Sequence, residues 1–86
     1  MTAATSATDA APVIVDLRTM IPPERHATVF AAIDALEPGA TFVLINDHAP
    51  TPLLRRIAEN RPDQFEAEFL VDGPEVWQVA ITRNRS

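Results

Sequence analysis

The chemistry this chain can offer is concentrated in five residues: His26, Asp47 and His48, with Arg18 and Arg25 beside them. The two histidines are its only imidazoles, and there is no cysteine. Disulfides, thiolate metal sites, iron–sulfur ligation and thiol nucleophiles are therefore excluded. Two neutral imidazoles and a carboxylate suit a borderline divalent ion such as zinc, copper, nickel or iron(II), so His26, Asp47 and His48 form a candidate metal set. Their spacing matches no established metal signature. A second chemistry is anion binding by Arg18 and Arg25, next to helix amino ends that present unpaired N–H groups and partial positive charge. A third reading needs no ligand: Asp47 satisfies loop N–H groups or caps a helix, and a His–Asp bridge ties two loops together. Catalysis has less to draw on. A His–Asp pair can serve as a general base, but Ser6 and Ser86 fall in terminal segments. The sequence contains neither a Ser-His-Asp constellation nor a glycine-rich phosphate loop. A non-enzymatic role is the expectation.

The elements that position these residues follow from hydrophobic periodicity. Val13 to Leu17 reads as a first strand with Val13, Val15 and Leu17 on its inner face. Pro23 suits the first turn of a helix running to about Leu36, where Val29, Phe30, Ile33 and Leu36 make the apolar stripe. His26 joins that stripe one turn before Phe30, so its ring is expected to tip toward the sheet. Pro38-Gly39 ends the helix, and Thr41 to Ile45 is a continuous apolar run suited to a central strand. Asn46 to Pro52 forms the loop at that strand's carboxyl end. Thr51 has the form of an N-cap for a second helix over 52–61, with Leu53, Leu54, Ile57 and Ala58 facing inward. Phe65, Ala67, Phe69 and Val71 alternate along a third strand, and Trp77, Val79 and Ile81 along a fourth, where Trp77 is expected in the core. Asp72-Gly73-Pro74 turns between them, making a hairpin.

The predicted architecture is an α+β two-layer sandwich of order β-α-β-α-β-β, a four-stranded mixed sheet with two helices on one face. A helix between two strands of one sheet implies a right-handed crossover, which places both helix starts at one edge. His26, Asp47 and His48 should therefore meet there. The chain has 86 residues, enough for one domain, assigned to 13–83, with 1–12 as a disordered lead-in and 84–86 as a tail. A core this small is only marginally stabilising, so self-association or a protein partner is a plausible supplement. Net charge is −5 and every basic residue is arginine. An acidic chain without a basic stripe argues against nucleic acid. No segment approaches the roughly 20 apolar residues of a membrane span, and the amino terminus lacks the form of a secretory signal. A soluble cytoplasmic protein is the expectation.

The segments RTMIPPERHATVF, LINDHAPTPL and GPEVWQVAITR together resemble the uncharacterised family known as domain of unknown function 2249, over about residues 13 to 83. That family is similar in turn to sulfur carriers of the TusA type. The resemblance implies the same sandwich. It also implies that the carriers' persulfide cysteine would fall at Pro22, followed by Pro23 and Glu24, with Arg25 in place of their second proline. Persulfide transfer by that route is excluded. Members of the resembling family often accompany hemerythrin-like or other redox and nitrogen-oxide-related domains, which implies a setting without a mechanism. Two roles stay open: a small ligand-binding accessory domain taking a divalent metal through His26, Asp47 and His48, and a non-catalytic interaction module that keeps the carrier fold without its thiol.

Overall fold

The computed structural model describes residues 13–85; the expected lead-in over residues 1–12 and the last tail residue, Ser86, lie outside the described residues. The elements are β1 (Val13–Asp16), α1 (Pro22–Ala35), β2 (Thr41–Asn46), α2 (Thr51–Asn60), β3 (Phe65–Asp72) and β4 (Trp77–Arg83). They form one four-stranded sheet in the order β1-β2-β4-β3. β1 runs parallel to β2, while β4 is antiparallel to both β2 and β3. This is the predicted α+β order, with each helix starting one residue earlier than expected.

Local chemistry accounts for the boundaries. Pro22 and Pro23 open α1, where their missing N–H groups have no helical partner to lose. The alanines at 27, 31, 32 and 35 favour its continuation. Gly39 supplies the positive φ of 84° that the exit requires. The Arg83 guanidinium donates to the Leu36 carbonyl at 2.7 Å, satisfying one of the acceptors α1 leaves open at its carboxyl end. Thr51 is the first residue of α2; Pro50 takes the N-cap position and no side chain caps the helix, so the expected Thr51 cap is not formed.

Register defines the faces of the sheet. Phe42 pairs with Ile81 and Leu44 with Val79, and all four are buried in one cluster with Leu17, Val29 and Ile33 of the β1–α1 side and Leu53 and Ile57 of α2. Both helices therefore cover the same face. Arg61 ties them together at the far end, bonding Asp34 from α2's C-cap at 2.9 Å and lying 5.6 Å from the Phe30 ring centroid. β3 departs from the expected alternation. Phe65, Ala67 and Phe69 align with Arg83, Ile81 and Val79 on the helix side, but a bulge at Leu70 shifts the register so that Val71 pairs with Gln78 on the open face. The helices cover little of this edge strand, and Phe69, Leu70 and Val71 are exposed. Trp77 is half-buried outside the core cluster. Its indole lies instead against Gly73, where a β-carbon on the glycine would come within 2.6 Å of the ring. None of the described helices is long and apolar enough to cross a membrane.

Candidate functional site

The carboxyl ends of β1 and β2 and the amino ends of α1 and α2 meet at one edge of the sheet, as the order of elements requires. Here α1 has a different rotation from the one its apolar stripe suggests. Val29 and Ile33 are buried, and the residue one turn before Val29 is Arg25, which turns inward. His26, about 100° further round the helix, is exposed. The expectation that its ring tips toward the sheet is corrected: the arginine can lay its long stem along the apolar surface and still bring its charged head to polar partners.

Arg25 is the hub of the edge. Its side chain is 14% exposed. Nε donates to the Met20 carbonyl, while Nη1 donates to Asn46 Oδ1 and to Asp47 Oδ1, each at 2.9 Å. Asp47 also accepts from His48 Nδ1. The Arg25 guanidinium, and secondarily His48, holds the Asp47 carboxyl below the usual carboxylate range. Arg18 is spent elsewhere. It grips Asp16 through Nε and Nη2 at 2.9 and 2.7 Å, and this pairing lowers the Asp16 pKa to about 2.

Asn46 is the site residue that sequence reasoning missed. It continues the inward set Phe42, Leu44, Asn46 at the last position of β2, and it is only 8% exposed. A polar residue closing an inward-facing apolar series was the available signal. Its Oδ1 accepts from Arg25 and from the Asp47 backbone N–H, both at 2.9 Å. Both partners can only donate, so the oxygen must face them and the amide nitrogen must face away. That nitrogen donates to no atom of the described residues. Nor does Arg25 Nη2.

Asn46 and Arg25 line a pocket of about 230 Å³, with His26 and His48 as its other polar groups. Its apolar lining comes from Leu17 and Leu53, both buried, and from Pro22, Pro50 and Pro52. Asp47 and Arg18 do not line it. The structure thus brings His26, His48 and Arg25 together around one cavity and leaves Arg18 outside. Among the described residues, no three His, Cys, Asp or Glu are grouped so as to hold a metal ion. Asp47 directs its carboxylate to Arg25 and His48 instead. The helix ends also offer fewer N–H groups than an anion site would draw on, because Pro22, Pro23 and Pro52 have none and Glu24 N–H bonds the Ile21 carbonyl.

These features define a two-layer α+β domain with an open, donor-bearing pocket where its two helices begin. The chain belongs to the family described as uncharacterized conserved protein, DUF2249, whose match spans residues 14–83. No curated protein and no solved structure matches it, so the sulfur-carrier likeness rests on the sequence alone.

Proposed function

We propose that this domain is a small-molecule binding module without catalytic chemistry, and that its site is the pocket lined by Arg25, His26, Asn46 and His48. The observation that carries this reading is Asn46, a residue only 8% exposed that lines the pocket and whose amide nitrogen donates to no atom of the described residues. A buried donor left unbonded costs about 1–3 kcal/mol, and nearly all such groups in folded proteins find a partner. Asn46 lines an open pocket and its amide nitrogen has no partner among the described residues, so an acceptor on a bound ligand takes the place that water or no partner would otherwise hold. No hydroxyl, thiol, amine or carboxylate side chain lines the pocket, and Asp47 is held by Arg25, so the arrangement favours binding over turnover.

Thermal unfolding with a panel of small acidic, neutral and basic fragments tests the proposal. A ligand at ten times its Kd stabilises the native state by about 1.4 kcal/mol, which raises Tm by roughly 6–11 °C for a domain of this size. At least one fragment class should produce such a shift. Ala49→Trp, which fills the pocket from an exposed lining position, should remove it. A panel without effect on the native protein, or shifts unchanged in Ala49→Trp, would overturn the assignment.

A further inference from the structure

The donor pattern of the pocket goes beyond its existence and specifies what it accepts; this inference rests on the binding role proposed above. Two of the pocket's side chains with hydrogens unused among the described residues are joined to one another: Asn46 through its amide nitrogen and Arg25 through Nη2, both donors, while the exposed His26 and His48 lie beside them. The bond that joins the two runs from Arg25 Nη1 to Asn46 Oδ1 at 2.9 Å. The free donors therefore come from adjacent, mutually fixed groups, an arrangement suited to a planar group with two acceptor oxygens. No carboxylate lines the cavity to repel an anion. Arg25 and Asp47 offset one another, so a carboxylate is selected by the paired donors rather than by net charge.

The remaining lining restricts the rest of the ligand. Leu17, Leu53 and the prolines offer no polar side chain, so a second charged group would be desolvated with little compensation. A volume of about 230 Å³ falls below the roughly 300–1,000 Å³ of sites for drug-sized molecules. A compact body of ring or branched-chain size fits that space without extending beyond it.

We propose that the pocket binds a small monocarboxylate with a compact apolar body, its two oxygens accepting from Asn46 Nδ2 and Arg25 Nη2 and its body resting on Leu17, Leu53 and the prolines. The carboxylate supplies the acceptor that the Asn46 amide lacks among the described residues. His26 and His48, both exposed, complete the polar lining.

The test is a titration followed through the Asn46 side-chain amide signals in ¹H–¹⁵N spectra of the full chain, using sodium benzoate, benzamide and inorganic phosphate. Benzoate should shift that NH₂ pair saturably and bind at least tenfold more tightly than benzamide or phosphate. Asn46→Asp keeps an oxygen facing Arg25 and the Asp47 N–H but turns an anionic oxygen toward the cavity, so benzoate affinity should fall more than tenfold while benzamide binding persists. Benzamide binding as tightly as benzoate would overturn the carboxylate and leave the pocket assignment standing. Phosphate binding as tightly would overturn the apolar body. No response of any pocket signal to any of the three would overturn this inference, and the fragment panel would then decide the wider binding role separately. Should Asn46→Asp fail to fold, the signals of the native Asn46 amide still decide the outcome.

Discussion

Replacing Arg25 with methionine should destabilise the domain far more than replacing its neighbour His26 with alanine. Methionine keeps much of the apolar stem of Arg25 and removes three hydrogen bonds. The bonds to the Met20 carbonyl and Asn46 Oδ1 are part-buried, and each contributes about 1–1.5 kcal/mol. The ion pair with Asp47, whose carboxylate is 38% exposed, adds only about 0.5 kcal/mol. The sum, about 3 kcal/mol, is a large part of the roughly 4–13 kcal/mol expected for a chain of this length. His26 is exposed and makes no side-chain hydrogen bond within the described residues, so His26→Ala should stay within about 0.5 kcal/mol of the native protein. Urea unfolding followed by circular dichroism measures both, with the slope of the transition checked for constancy. Equal losses, or a larger loss at His26, would show that α1 is rotated as its apolar stripe suggests and that Arg25 is not the hub.

Other consequences are equally specific. Gly73 has a φ of 72° and the Trp77 ring against its α-carbon, whereas a side chain at Gly39 would meet only the flexible end of Arg85. Gly73→Ala should therefore cost about 2–3 kcal/mol and Gly39→Ala about 1 kcal/mol, the strain of a left-handed alanine, as read by Tm. Ile33→Ala in the centre of the core should cost about 2–5 kcal/mol by the same measurement. Because its partners lower the Asp47 pKa, the stabilisation from that carboxylate is fully present above its ordinary value of about 4 and is lost as pH falls through the lowered one. The stability gap between the native protein and Asp47→Asn should thus be present at neutral pH and close as the solution is acidified below the ordinary carboxylate range. A gap that widens on acidification would contradict the pairing.

The sequence makes the fold legible because alternation and helical stripes are averages over many residues, so the order of elements and the shared edge emerge even when single positions mislead. The site depends on single positions. Residues 25, 29 and 33 and residues 26, 30 and 33 both make acceptable stripes, and simple polarity favours turning a histidine rather than an arginine inward. What decides is tertiary: the Met20 carbonyl, Asn46 and Asp47 stand where only a long guanidinium side chain can reach them all. The bulge at Leu70 is equally hidden, since Phe69-Leu70-Val71 contains no glycine to mark it. Trp77 follows a strict alternation yet meets Gly73, because the turn folds back over the end of β4. The metal set looks complete in sequence because topology foretells adjacency at one edge, whereas nothing in the spacing foretells the competition of Arg25 for Asp47.

Backbone ¹H–¹⁵N shifts of the full chain, mapped residue by residue during titration with sodium benzoate, test the central claim most directly. Saturable shifts should concentrate at Leu17, Arg25, His26, Asn46, His48 and Leu53, which line the pocket, and should leave Phe69, Leu70 and Val71 on the far edge strand unmoved. Shifts confined to that exposed strand, or spread evenly over the surface, would contradict it.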